Sequence, residues 1–253
     1  MSEEQEPLLE GTLISHLLEL RDRLLRAFIA VIIVFIPCMY YSNRLFEFLA
    51  RPLLRQLPPG STLIATNITA PFTIPFKLAF IVALIIAMPY VLFQVWGFVA
   101  PGLYRHEKRF ALPLLVSAVV LFYIGIAFAY FLVFPLIFQF FVHTAPHGVE
   151  VKTDISNYLD FVLVLVFSFG LTFEVPVAVV LLVAMGLVPV EKLTKIRGYV
   201  LIAVFVIAAI LTPPDAFSQT VMAVPMYLLY EGGILFARLL APRKPAAAAG
   251  EGD

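Results

Sequence analysis

The chain is 253 residues long, 62% hydrophobic and 13% charged, with 17 basic and 17 acidic residues and a formal net charge of zero. Soluble domains carry about 25% charged residues, so this composition belongs in lipid, and without a basic excess no nucleic-acid ligand is expected. The lone Cys38 excludes an intrachain disulfide and any CxxC redox or zinc motif.

Residues 1–11 are acidic and polar, unlike the basic start of a secretory signal peptide, so the first apolar run is expected to stay as a membrane anchor. Residues 15–26 read as an amphipathic helix. His16, Glu19, Arg23 and Arg26 recur at steps of three, four and three, which gathers them in one polar arc. Glu19 and Arg23 stand at i, i+4 in the favourable order, so a local ion pair is available. The first span follows over 24–41, with Arg26 able to snorkel to the interface.

Residues 42–76 contain Pro52, Pro58, Pro59, Gly60, Pro71 and Pro75, and so predict loops and short, in part amphipathic, helices. The second span is 77–99, with Pro89 inside it, and the third is 110–134, with uncharged sequence continuing through Pro135 to Val142. Between these spans lies a short loop that packs Arg105, His106, Glu107, Lys108 and Arg109 behind Pro101-Gly102. A loop of this length is no domain; it is a polar patch held at the membrane surface.

A second polar loop, 143–160, offers Asp154 or Ser156 as the cap of the next helix. The fourth span, 158–185, carries Glu174 near its middle and Pro176 just after it. A charge at mid-membrane costs about 2.5–3.5 kcal/mol, so Glu174 is expected to face protein or water and to be functional, the alternative being a polar staple between helices. Two abbreviated runs, 198–212 and 216–230, are joined by Pro213-Pro214-Asp215. At about 1.5 Å per residue each spans only about 22 Å, against a hydrocarbon core of about 30 Å; Glu231 lengthens the second run if it faces protein, and otherwise thinning of the bilayer or tilting within the bundle is expected.

The expected fold is thus all-α and polytopic, with six transmembrane helices. Its divisions are an amphipathic segment 1–23, a membrane domain 24–238, and a disordered tail 239–253. Arg21, Arg23, Arg26, Arg105, Lys108, Arg109, Lys192, Lys195, Arg197, Arg238, Arg243 and Lys244 fall on one side, twelve of the 17 basic residues. The positive-inside rule therefore predicts that both termini are cytoplasmic.

Four stretches occur together in this order: Ser15-His-Leu-Leu-Glu-Leu-Arg21, Ala100-Pro-Gly-Leu-Tyr-Arg-His-Glu-Lys108, Phe173-Glu-Val-Pro176 and Leu211-Thr-Pro-Pro-Asp-Ala-Phe-Ser-Gln219. With them the chain resembles, from about Ser15 to Arg238, the TatC family of core membrane subunits of the twin-arginine protein translocase. The resemblance implies a concave, glove-like bundle in a bacterial inner membrane. It implies a cytoplasmic receptor for twin-arginine signal peptides on folded cargo, single-span TatA and TatB partners, homo-oligomeric assembly and export driven by the proton-motive force. Glu19 and Glu107 match the family's two carboxylates for the signal arginines. A carboxylate accepts a guanidinium fork bidentately, which lysine cannot reproduce. Without the resemblance, the simpler reading pairs Glu19 with Arg23 and Glu107 with Arg105 or Lys108.

By the same resemblance Arg21 and Arg23 are basic positions of the signal-peptide site, with Phe98, Pro101 and Tyr104 shaping the loop. Glu174 matches the mid-membrane glutamate of the cavity, and Thr212 and Gln219 the polar patch that docks TatA and TatB. Pro52, Pro213, Pro214 and Asp215 are expected to be structural, Asp215 as the cap of the sixth span.

No enzyme and no cofactor are expected. The chain has neither a P-loop nor GxGxxG, and neither HExxH nor Gly-x-Ser-x-Gly. His143 and His147 have helical spacing, but Pro146 lies between them, so no metal is expected. The natural alternative is a small-molecule or ion secondary transporter using the buried Glu174, against which stand the lack of an internal repeat and of a second mid-span ionisable group.

Overall fold

A computed structural model describes residues 6–54, 64–99, 111–144, 154–212 and 215–240. The described residues are helical apart from short connections. The elements are α1 Glu6–Tyr40, α2 Ser42–Leu54, α3 Ala70–Val99, α4 Ala111–Phe128, α5 Phe134–Thr144, α6 Ile155–Thr172, α7 Val175–Ala184, α8 Val190–Lys195, α9 Arg197–Leu211 and α10 Ala216–Leu240. Among the described residues five helical stretches are long and apolar enough to cross a membrane, and α9 is a shorter apolar helix of 15 residues.

The amphipathic segment and the first span form one uninterrupted helix, α1, which packs chiefly along α3. Ala79, Ala83 and Ala87 recur every four residues of α3 and are buried against Val31 and Cys38 of α1, so small side chains let the two backbones approach closely. The polar connection contains the helix α2, whose Ala50 is buried while Arg44, Glu47 and Arg51 stay exposed. Pro52 lies in its last turn.

The third span continues as expected through Pro135, but by way of a π-helical turn at Ala129–Val133. A proline at 135 has no N–H to offer and crowds the carbonyl one turn earlier, and a wider turn just upstream accommodates both effects. Its α4 half meets α6 through exchanged glycines. A Cβ at Gly125 would stand 2.5 Å from the Phe169 carbonyl oxygen, and one at Gly170 would stand 2.7 Å from the Phe122 ring. Phe122, Phe169, Phe134, Leu159 and Leu165 are sealed in the same core.

The fourth span is two helices, α6 and α7, broken at Phe173–Glu174. Pro176 enters the first turn of α7, where a missing N–H costs least, and its ring prevents α6 from running straight through. The Thr172 hydroxyl donates to the Ser168 carbonyl, 2.7 Å, one turn back within α6, and so does not serve the carbonyl that the proline leaves free.

One expectation needs correction: only α9 is short. The sixth helix, α10, does not stop at residue 230 but runs 25 residues to Leu240, of which Ala216–Leu239 is apolar enough to span. Glu231, which ends the apolar run in the sequence, is paired by Arg197 at 2.6 Å and accepts from the Tyr227 hydroxyl at 3.0 Å, so its charge does not terminate the helix.

Candidate functional site

The functional residues expected on α1 meet the end of α3. His16 stacks on Phe98, with 4.2 Å between ring centroids and 19° between planes. Two turns along, the Arg23 guanidinium crosses Gly97 so closely that a Cβ there would collide with Nη1. Arg23 donates from Nε (2.9 Å) and Nη2 (2.6 Å) to a single oxygen, Oε1 of Glu19. The second oxygen, Oε2, has His16 Nδ1 at 4.0 Å. Glu19 is therefore held at the root of the 100–110 loop with one oxygen engaged by its own helix. The ion pair anticipated from i, i+4 spacing exists, and with both side chains partly exposed it is worth about 1 kcal/mol at most.

Arg21 behaves differently from Arg23. It turns outward and pairs with its neighbour Asp22 at 2.8 Å on an exposed surface. Glu107, Pro101 and Tyr104 lie outside the described residues, as do Pro213 and Pro214. The expectations attached to them are carried forward as proposals.

Glu174 borders a cavity of about 180 Å³ between α3 and α7, lined by Leu92, Val95, Trp96 and Val99 on one side and Val177, Ala178 and Leu181 on the other. Its Oε1 is buried without a hydrogen-bond partner among the described residues. A carboxyl in an apolar hollow is costly to maintain. Trp96 and the apolar residues opposite Glu174 were not singled out from the sequence. Their only signal is the stripe 92, 95, 96, 99, which any buried helix face also shows.

The end of α3 thereby has two working faces. Leu92, Val95, Trp96 and Val99 form the wall opposite Glu174, while Gly97 and Phe98 receive Arg23 and His16 from α1. Trp96 and Phe98 are two residues apart and so about 200° apart around the helix.

At the junction of α9 and α10, Asp215 accepts from the Ser218 backbone N–H at 2.7 Å and caps α10 as expected. Thr212 is buried and donates to the Ala208 carbonyl, 2.8 Å, and Gln219 Nε2 donates to the Phe205 carbonyl of α9, 3.0 Å. Thr212 and Gln219 thus find partners within the chain, while Asp215 Oδ2 and Ser218 Oγ are buried without one among the described residues.

Long apolar helices, a charged helix end docked on a neighbour, and a buried carboxyl within a spanning segment define a multi-pass α-helical membrane protein. The family model described as Sec-independent protein translocase protein (TatC) matches residues 15–225. The chain is 51% identical over 241 residues to the Sec-independent protein translocase protein TatC of Haemophilus influenzae, covering 95% of this chain and 94% of that protein. It is 55% identical over 226 residues to the TatC of Escherichia coli, covering 89% and 88%. A crystal structure described as the twin-arginine translocase receptor TatC superposes with a TM-score of 0.81 at 39% identity, covering 88% of this chain and 98% of that one. The chain belongs to the TatC family of Sec-independent protein translocase components.

Proposed function

We propose that this chain is the signal-peptide receptor and core subunit of a twin-arginine translocase in a bacterial inner membrane, with both termini cytoplasmic. The observation that carries the reading is the docking of α1 on the end of α3, which holds Glu19 beside Phe98 at the root of the 100–110 loop. Glu107, carried by that loop, supplies the second carboxylate, and Pro101 and Tyr104 shape the loop. Two arginines then find two carboxylates. The first displaces Arg23 from Glu19 or joins it there, a cheap exchange because the resident pair is partly exposed. Arg21 and Arg23 complete the site as its basic rim.

Glu174 belongs to a later step of the same process. Its cavity wall and the Phe98 seat are different faces of the same two turns of α3, so the two steps use separate surfaces of one helix. TatA and TatB are the partners, docking by Thr212 and Gln219 once those side chains exchange their internal carbonyls for a partner helix. Copies of the chain assemble within the complex, the bundle presents a concave, glove-like face, and the proton-motive force drives transport. Pro52, Pro213 and Pro214 are structural, residues 1–23 form the receptor helix, 24–238 the membrane domain and 239–253 the tail. The family match lends no support to a small-molecule transporter.

The test is binding of a twin-arginine signal peptide, against its twin-lysine counterpart, to the protein in nanodiscs with Glu107→Gln alongside. Preference for the arginine peptide, lost in the variant, supports the receptor reading. Equal binding of both peptides by the wild type, with TatB co-reconstituted, refutes it.

A further inference from the structure

About 30 Å along α3 from Phe98, at the opposite end of the helix, a second polar feature stands on an otherwise apolar surface. Lys77 Nζ donates to both oxygens of Asp160 on α6, at 2.8 and 2.9 Å, and the two side chains are 50% and 49% exposed. The pair borders a groove of about 490 Å³ between α3 and α6, whose remaining lining is Phe80, Ile81, Leu163, Val164, Phe167 and Ser168. Both helices are spanning segments, and both charges sit within the first two or three turns of them.

Such a pair is not needed to join these helices, because apolar packing already does so around Leu78, Leu159 and Val162. Nor is a half-exposed pair worth much by itself. It does leave unused bonding capacity. An ammonium has three N–H donors, of which Asp160 takes two, and each carboxylate oxygen retains a free lone-pair direction. The rest of the groove is apolar, and both helices that form it are long and apolar enough to cross a membrane.

We propose that the groove between α3 and α6 is a binding site for a phospholipid whose headgroup carries both a phosphate and a primary ammonium, that is, an ethanolamine phospholipid. The phosphate accepts from the third N–H of Lys77, the headgroup ammonium donates to Asp160, and an acyl chain lies along Phe80, Ile81, Leu163, Val164 and Phe167. The adjacent cation and anion match the headgroup in sign. An anionic glycerol headgroup offers Asp160 only neutral hydroxyl donors and adds net negative charge beside it, while a choline headgroup has no N–H to donate. The site is independent of the signal-peptide reading.

The experiment is native mass spectrometry of the delipidated full-length protein after addition of phosphatidylethanolamine, phosphatidylcholine or phosphatidylglycerol at equal concentration. The wild type is expected to retain phosphatidylethanolamine about tenfold more than either other lipid, the worth of one charge-assisted hydrogen bond. The Lys77→Gln/Asp160→Asn double variant is expected to lose that preference. Equal retention of the three lipids by the wild type overturns the proposal, as does a preference for phosphatidylglycerol or an unchanged preference in the double variant. Should the double variant fail to fold, the wild-type comparison of the three lipids decides alone.

Discussion

The imidazole of His16 lies on the ring of Phe98, 4.2 Å between centroids, while two turns further on Arg23 crosses the backbone of Gly97. These two contacts seat the polar start of α1 on α3 and fix where Glu19 stands. Phe98→Ala removes the stack, worth about 0.5–1.5 kcal/mol beyond area burial, and frees the helix end to move. Signal-peptide affinity is expected to fall by roughly threefold to tenfold, and Phe98→Tyr, which keeps the ring, to restore it. Peptide titration in nanodiscs checks both. An alanine variant with wild-type affinity would remove Phe98 from the site.

Glu19→Gln separates stability from recognition. Its ion pair with Arg23 is half open to solvent, so stability should change by no more than about 1 kcal/mol. Peptide binding should nevertheless be lost, because an amide cannot accept an arginine fork on two charged oxygens. Thermal unfolding and peptide binding, measured on one preparation, test the pair of outcomes. A large loss of stability would make the ion pair a structural device instead.

Much of this arrangement was readable from residue patterns, and what was not has a physical reason. The apolar runs, the Glu19–Arg23 pair and the Asp154 and Asp215 caps all follow from local spacing, and all are present. The length of α10 was missed because hydropathy counts Glu231 as a full charge. Its partner Arg197 is 34 residues away, a tertiary fact that no window can see. The break in the fourth span was foreshadowed by Pro176, whereas the wall facing Glu174 depends on how α3 is rotated, and nothing in a uniformly apolar helix marks that.

Arg197 and Glu231 yield a prediction of opposite character to Glu19. The pair is about as exposed as Glu19 and Arg23, but with Tyr227 also bonded to Glu231 it ties the start of α9 to α10. Glu231→Leu leaves Arg197 without its carboxylate at a helix end and should cost roughly 1–3 kcal/mol, toward the lower figure because Arg197 is partly solvated. Adding Arg197→Leu should recover part of that loss, since the stranded cation is then gone. Unfolding midpoints of the two single variants and the double variant form the test. A double variant less stable than either single one would contradict it.

Asp154 gives a pH signature. The Thr66 hydroxyl, together with the backbone N–H groups of Asn157, Thr66 and Ser156, holds its carboxyl down to about 2, below the usual 3.8. The same contacts cap α6 and fasten the strand-like residue Ile64 beside it. A depressed value means that the folded state prefers the ionised form. The contribution is therefore full above about pH 4 and is lost as pH falls through about 2. The difference in unfolding midpoint between wild type and Asp154→Asn should be constant from neutral pH to about 5 and shrink below about 4. A difference that did not change with pH would show the carboxylate charge to be irrelevant there.

Glu174 should show stability and function moving in opposite directions. Its Oε1 is buried in an apolar hollow with no hydrogen-bond partner among the described residues, so the native state carries a desolvation cost that an aliphatic side chain would not. Glu174→Leu is expected to raise the unfolding free energy by about 1–3 kcal/mol. Because the Glu19 seat lies on the other face of α3, signal-peptide binding by this variant should stay within about twofold of wild type. Export of a folded twin-arginine cargo should fail even so, if a carboxyl in that hollow is what the later step requires. Export at wild-type rate by a stabilised variant would show that the chain maintains a costly group there without using it. A destabilised variant would show that the carboxyl is satisfied by a neighbour, such as the 100–110 loop, and belongs to the fold.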